Sequence, residues 1–419
     1  MALFKQNNFM TKLVSFRKTC RICDGKDLEK VLDLGAMPPA NAFLQKNELG
    51  KSEDKFPLEL YFCNECSLLQ LCHVVDPEIL FKNYHYQTGA SSPLVTHFKE
   101  MASEIVSKYI RSADDLVVEI GSNDGSLLEN MKNHCKILGV DPAPEMEKFA
   151  KAKGVPTMTA FFDAEAAEKI IARYGNAKVI IANNVLAHID DIQSVFKGIG
   201  KLLKQNGVCV FEAHFVGNLI GKGGFDQIYH EHLCYFSLHA LSHLMKRFGL
   251  KILDVTTVPI HGESLRVTVG KTDSPKRSVE LFLRKEKKIG LHKIETFRQF
   301  ANKVENNKRA LISLIERLKA QNKKITGYGA PAKGNTLLNF YGIGPDMLDH
   351  ITDTTPLKQG LFAPGSKIPV VPPEENAKNP PDYILLLSWN YTDAILKKEA
   401  ALRKKGVKFI IPVPEVKIV

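Results

Sequence analysis

The chain has 419 residues, 44% of them hydrophobic and 25% charged, with 57 Lys and Arg against 46 Asp and Glu for a formal net charge of +11. That length exceeds one ordinary core and fits two or three globular domains, while no run approaches the roughly 18 apolar residues a membrane helix needs. The start, MALFKQNNFMTKLVSFRKTC, is basic but has neither a continuous apolar segment nor a small-residue cleavage site, so a cytoplasmic protein with no membrane partner is expected.

Residues 1 to about 85 are short, turn-rich segments, including CRICDGKDLEKVLDLG, the proline-containing GAMPPANAFL and LELYFCNECSLLQLCHVV. A helix is expected from about Pro93 to Ile110. Then strands alternate with helices: LVVEIG (116–121), helix SLLENMKN, ILGVD (137–141), helix PEMEKFAKAKG, a short strand near PTMTA, KVIIANN (178–184), helix DIQSVFKGIGKLL and GVCVFEAH (207–214). This alternation implies a parallel sheet with helices on both faces. After His214 come the glycine-rich VGNLIGKGGFDQIYHEHLCYFS, helix LHALSHLMKRFG and strands KILDVTTVPI and SLRVTVG. Apolar residues recur at helical spacing from Ser278 to Asn322, with room for a break, and the last hundred residues form a second α/β unit. The expected division is residues 1–88, 89–277 and 278–419.

The basic balance suits either nucleic acid or an anionic substrate such as a nucleotide diphosphate. Its densest run, Arg284 to Lys288 (RKEKK), reads as the solvated face of a helix.

Four of the eight cysteines form two C-x-x-C pairs, Cys20/Cys23 and Cys63/Cys66, with 39 residues between the pairs. Thiolates at i and i+3 meet one ion in a knuckle turn, and two knuckles complete a four-thiolate zinc site. Such a site has no open position, so the zinc is expected to be structural. Cys72, Cys135, Cys209 and Cys234 read as buried thiols.

VVEIGSNDGSLL places Glu119 near a strand end, followed by Gly121, Asn123, Asp124 and Gly125 before the next segment. The dinucleotide pattern G-x-G-x-x-G is absent. An acidic loop whose glycines admit a ligand closely suits cationic groups, so S-adenosylmethionine is the expected cofactor. Asp141, ending the next strand, is placed for ribose hydroxyls, Phe161 or Phe162 for adenine, and Asn183 and Asn184 for the carboxyl end of the fourth strand.

Taken in order, CRIC…CNEC, YHYQTGASS, VVEIGSNDG, ANNVLAHI, FDQIYHEH, HGESLR, GYGAPAKGNTLLNFYGIGP and DTTPLKQG…PGSKIPV resemble the sugar C-methyltransferases that act on nucleotide-linked 4-keto-6-deoxy sugars. The resemblance covers nearly the whole chain. It implies an α/β protein: a Rossmann-like class I methyltransferase domain with an N-terminal zinc-binding module and a second, C-terminal Rossmann-like domain that helps bind the nucleotide sugar. Methylating carbon requires a base for the α-proton and a donor for the developing oxyanion. By this likeness His232 is the base acting at the sugar's C3, Tyr229 and Glu231 support it or touch the sugar, Tyr84 covers the substrate, and Asn184 and His188 face the sugar. Ser264 and Arg266 of HGESLR belong to the substrate set, as do Lys333, Asn335 and Thr336, which would hold the diphosphate. Asp353, Lys358 and Gly360 would line the same cleft. His230 receives no role, and Glu263 stands where the family more often has glycine. The expected partner is a nucleotide sugar, with dTDP as the expected nucleotide, for a monomer or small homo-oligomer without nucleic acid. Two rivals stand beside this reading: a zinc-containing nucleic-acid methyltransferase, and a non-catalytic zinc- and nucleotide-binding protein.

Overall fold

The computed structural model describes residues 13–81, 89, 92–259, 264–272 and 274–419. At the N-terminal end β1 (Val14–Phe16) pairs with β5 (His73–Val75), and between them β2 (Leu28–Met37), β3 (Phe56–Cys63) and β4 (Leu69–Leu71) form an antiparallel meander. Alternation in FPLELYFC buries Phe56, Leu58, Leu60 and Phe62 together on one face. The fourth strand of this sheet comes from far along the chain. It is β11 (Cys234–Tyr235), which pairs antiparallel with β4.

The central sheet contains β6 (Leu116–Ile120), β7 (Lys136–Asp141), β8 (Thr157–Thr159), β9 (Ala177–Asn183), β10 (Leu203–His214), β12 (Lys251–Val258) and β13 (Ser264–Gly270), in the order β8-β7-β6-β9-β10-β13-β12. The first five run parallel, whereas β13 is antiparallel to both its neighbours, so the sheet is mixed rather than all parallel. The cause is connectivity: only five residues separate β12 from β13, fewer than the dozen or so that a parallel crossover needs. Neighbouring residues of one strand feed two cores. Val117 packs in a cluster with Phe98, Met101 and Ile105 of the helix Ser92–Tyr109, and Val118 packs in the opposite one.

The C-terminal sheet is built from β14 (Ile325–Tyr328), β15 (Ile351–Thr352), β16 (Val370–Val371), β17 (Tyr383–Leu386), β18 (Lys408–Ile411) and β19 (Lys417–Ile418), in the order β16-β15-β14-β17-β18-β19. Its first five strands repeat the order of the central sheet's parallel part. The two sheets are joined by helices Arg277–Ile289 and Ile294–Ala320, which break at Gly290, a left-handed residue at φ 85°.

Several local expectations are corrected. SLLENMKN forms only a single 3-10 turn, Leu128–Asn130, because the chain must reach β7 a few residues later. An unanticipated helix, Ala164–Tyr174, is capped by Asp163, whose carboxylate accepts from the Ala166 amide. Within RKEKK, Glu286 is buried, not solvated, and accepts from the Leu238 and His239 amides at 2.6 and 2.9 Å. Among the described residues no helix is long and apolar enough to cross a membrane.

Candidate active site and metal centre

The two C-x-x-C pairs fold as copies of one turn. Asp24 N–H donates to the Cys20 carbonyl and Ser67 N–H to that of Cys63, and Asp24 and Ser67 share a left-handed backbone at φ 61° and 62°. The four Cys20, Cys23, Cys63 and Cys66 sulfurs lie within 4.8 Å of one another, with Cys20 to Cys66 at 3.4 Å and Cys23 to Cys63 at 3.5 Å. A tetrahedron with Zn–S of about 2.3 Å has edges of roughly 3.8 Å, so the set fits one zinc ion with every position filled. Cys72, Cys135, Cys209 and Cys234 are buried free thiols, as expected.

The glycine loop after β6 turns through Gly121 (φ 68°), Asn123 (φ 49°) and Gly125 (φ 75°). A Cβ on Gly121 would meet Val185 Cγ2 at 2.9 Å, and one on Gly125 would meet Val155 at 3.1 Å, so neither site takes a side chain. Glu119 is buried beneath this loop, and its Oε2 has no hydrogen-bond partner. Burial, with the charges of Asp141 and Asp124 adding to it, drives its carboxyl well above the usual range. Asp141 accepts from the Asn123 and Ala143 amides at 2.9 and 3.0 Å. Asn183 donates to Met101 Sδ, and its Oδ1 is buried without a partner. An acidic floor with orphaned acceptors fits the ammonium, hydroxyl and amine groups of S-adenosylmethionine. Two expectations change here. Phe162 packs into the core, leaving Phe161, 73% exposed, as the ring available to adenine. The Asp124 carboxylate is occupied by Lys153, Ser126 and the Gly89 amide, which makes it a clasp for the loop rather than a ligand contact.

The tyrosine-histidine cluster lies at the carboxyl ends of β9 and β10, the same end as the glycine loop. Val185, against Gly121, begins the turn that presents His188. The His232 ring is 5% exposed and sits 5.0 Å, centroid to centroid, from both His188 and His214, and 4.1 Å from Tyr229. His232 Nδ1 is 3.0 Å from the Gln227 carbonyl, which only accepts, so Nδ1 carries the hydrogen. Nε2 is then the acceptor in the neutral ring, and the Tyr229 hydroxyl donates to it at 2.9 Å. Burial pushes His188 down to about 4, keeping it neutral, and pushes the Glu231 carboxyl up to about 7 against the hydrogen bond it accepts from Asn41. Asn184 holds a strained φ of 53°, and its Oδ1 is buried without a partner. His230 donates from Nε2 to the Phe56 carbonyl at 3.0 Å, which ties this segment to the zinc-bearing sheet. Ser264 begins β13 opposite His214. Tyr84 lies outside the described residues, as does Glu263.

Arg266 is corrected. Its guanidinium pairs with Glu212 at 2.7 Å and Glu104 at 2.8 Å, and the same buried Glu212 accepts from His97 at 2.9 Å, so it clamps β10, β13 and the helix Ser92–Tyr109. Asn335 and Thr336 are also corrected: both are fully buried, Asn335 donating to the Ala40 carbonyl and Thr336 to that of Ala332. Lys333 stands against Asn390 and over the Trp389 ring; burial lowers it to about 8 while nearby Asp226 opposes that shift. Asp226 is buried and accepts from Trp389 Nε1 at 2.6 Å. A cavity of about 400 Å³ opens at the carboxyl ends of β14, β15 and β17, lined by Gly329, Asp353, Thr355, Lys358, Ser388 and Tyr391. Asp353 accepts from the Ala330 and Thr355 amides, both at 2.7 Å. Asn41, His214, Gln227 and Asp226 carried no recognisable signal for the site; only FDQ and the strand-end position of His214 lay next to residues that did.

Three family models match successive stretches of the chain. Family models match residues 97–255 ("Methyltransferase domain"), 259–414 ("C-methyltransferase C-terminal domain") and 20–81 ("Putative zinc binding domain"). The C-methyltransferase NovU of Streptomyces niveus is 35% identical over 404 residues, 96% of each chain. Among solved structures, an S-adenosylmethionine-dependent methyltransferase from Clostridium acetobutylicum ATCC 824 aligns at 17% identity and TM-score 0.34, covering 43% of this chain and 92% of that one. Magnesium protoporphyrin IX methyltransferase from Synechocystis PCC 6803 aligns at 13% identity and TM-score 0.34, covering 42% and 83%.

Proposed function

The chain belongs to the C-methyltransferase family, and from that premise we propose that it deprotonates a nucleotide-linked 4-keto-6-deoxysugar, with dTDP as the nucleotide, at C3 and methylates that carbon. The enzyme is an S-adenosylmethionine-dependent C-methyltransferase. One observation carries the finer reading: the His232 ring, with Nδ1 fixed on the Gln227 carbonyl, directs its basic Nε2 at Tyr229 in a buried site beside the cofactor loop. A locked tautomer is what a general base requires. In the proposed reaction the Tyr229 hydroxyl turns from Nε2 to the sugar's O4, the freed Nε2 lone pair takes the C3 proton, the C3–H electron pair moves into an enolate, and the charge develops on O4. Tyr229 and neutral His188 face that oxyanion, and Glu231, Asn184 and Ser264 line the sugar. When bound, S-adenosylmethionine supplies the methyl group that the C3 carbanion captures, and Glu119, Gly121, Asn123, Gly125, Asp141, Phe161 and Asn183 are the residues that would hold it. Four thiolates leave zinc no part in this chemistry.

The nucleotide belongs, in this reading, to the cavity of the C-terminal sheet, with Lys358 and Lys398 of its lining as the cations; Lys333 stands outside that lining, on the adjoining helix Ala332–Tyr341. The enzyme then works in the cytoplasm as three parts, 1–88, 89–277 and 278–419, in a monomer or small homo-oligomer. The test is His232→Asn. Solvent exchange of the substrate's α-proton is expected to vanish while calorimetric S-adenosylmethionine binding stays intact. Exchange at the normal rate in that variant removes His232 from the base role.

A further inference from the structure

We infer that Asn41, contributed by the N-terminal module, is a positioning residue for carbon methylation, acting by fixing the orientation of the Glu231 carboxyl; the inference rests on the reading of the His188–His232 cluster as the reaction centre. Asn41 Nδ2 donates to Glu231 Oε1 at 2.7 Å across 190 positions of sequence. Glu231 is 4% exposed, and no other hydrogen bond of its carboxyl is recorded among the described residues. A buried carboxyl held by one donor has its orientation decided by that donor. The His188 ring reaches the backbone of Glu231, and His232 is the next residue, so a turn of this carboxyl is felt where the proton moves.

The donor itself is held stiffly. Pro38 and Pro39 restrict the backbone just before it, and Ala42 N–H closes a turn onto the Pro39 carbonyl at 3.0 Å. On one side the Ala40 carbonyl accepts from the buried Asn335 amide at 2.8 Å. On the other, Leu44 exchanges backbone hydrogen bonds with Phe362, and Lys358 lies over the Phe43 ring. Residues 40–44 are therefore pinned to the C-terminal unit, at the helix Ala332–Tyr341 and the Lys358–Phe362 stretch, while the side-chain amide of Asn41 reaches the segment bearing His232. Module and reaction centre meet at this bond.

The test is a double-mutant cycle on single-turnover transfer of labelled methyl to a dTDP-4-keto sugar, which reads slow variants. Asn41→Ala is expected to lower the rate roughly tenfold, the order expected for losing a hydrogen bond to a charged or buried acid. S-adenosylmethionine affinity, zinc content and thermal midpoint should stay unchanged. Asn41→Asp, which keeps the volume but faces one carboxyl with another, should be slower still, and Asn41→Asp with Glu231→Gln should recover relative to Asn41→Asp alone. In the Glu231→Ala background, Asn41→Ala should cost less than about twofold. The same tenfold loss in both backgrounds, or wild-type rates for Asn41→Ala, overturns the inference. Normal proton exchange in His232→Asn would instead sink the base assignment, leaving this cycle to be judged by its own numbers.

Discussion

The two crevices of this enzyme share a backbone and differ in charge. In the central sheet, Asp141 at the end of β7 accepts from the amide of Asn123, in the loop after β6, and from the amide two residues ahead, Ala143. In the C-terminal sheet, Asp353 just after β15 accepts from Ala330, in the loop after β14, and again from the amide two residues ahead, Thr355. Strand order places the same acid at the same corner twice. What surrounds it then diverges: Glu119 and Asp124 lie near Asp141, whereas Lys358 and Lys398 line the cavity of Asp353. Identical topology thus sets acidic side chains around one crevice and lysines around the other, the difference on which the proposed split between cofactor and nucleotide rests.

The comparison is broken most severely by removing what joins the crevices. Cys63→Ser should abolish zinc in elemental analysis, lower the thermal midpoint strongly and eliminate turnover, because metal-linked folding in small cysteine modules amounts to several kcal/mol or more. Full turnover in a zinc-free protein would show that the crevices operate without the module. Next in size is Gly121→Ala. Its Cβ would sit 2.9 Å from Val185 at a φ of 68°, so S-adenosylmethionine affinity should fall at least about tenfold with dTDP affinity unchanged. The mirror experiment is Lys358→Met, expected to weaken dTDP binding by roughly tenfold and leave S-adenosylmethionine alone. If either variant weakens both ligands equally, the division by charge is wrong.

The smallest effect lies outside both crevices and supplies their baseline. Burial pushes Glu286 up to about 7 against the two amides it accepts from. Its folded value exceeds its unfolded one, so the native state holds the proton more tightly. Stability is therefore greatest below the unfolded value and is lost as pH rises from about 4.5 to about 7. Glu286→Gln should flatten that decline by about 1–3 kcal/mol, read from urea midpoints at pH 5 and pH 8. An unchanged slope would mean that the carboxyl titrates normally.

What could be read from the sequence was whatever is local. Knuckle spacing exposed Cys20, Cys23, Cys63 and Cys66 because two residues determine whether two thiolates can share an ion. The E-x-G-x-x-x-G loop and the strand-helix alternation are likewise properties of short windows. Choosing between Phe161 and Phe162 needed the packing around Gly198, which a Phe162 ring atom approaches. Arg266 and Asn335 looked like ligand contacts by motif position, yet their partners Glu212, Glu104 and Ala40 are decided only when distant elements meet. Glu286 sat in a run of charges that any surface helix would carry. Asn41 is the extreme case, an asparagine in a proline loop whose partner is 190 positions away.

The pairing of β4 with β11 has a consequence for biosynthesis. Leu71 N–H donates to the Leu233 carbonyl, and Gln70 and Leu69 pair with Cys234 and Tyr235. A nascent chain therefore cannot complete its first sheet until Tyr235 has emerged from the ribosome, and until then β4 presents an unpaired edge. The segment that finishes the sheet is the one carrying His232. Vectorial synthesis thus joins the first-made sheet to the segment bearing His232, the base proposed above, in one late event, and a fragment ending before residue 234 would keep β4 as an unpaired edge.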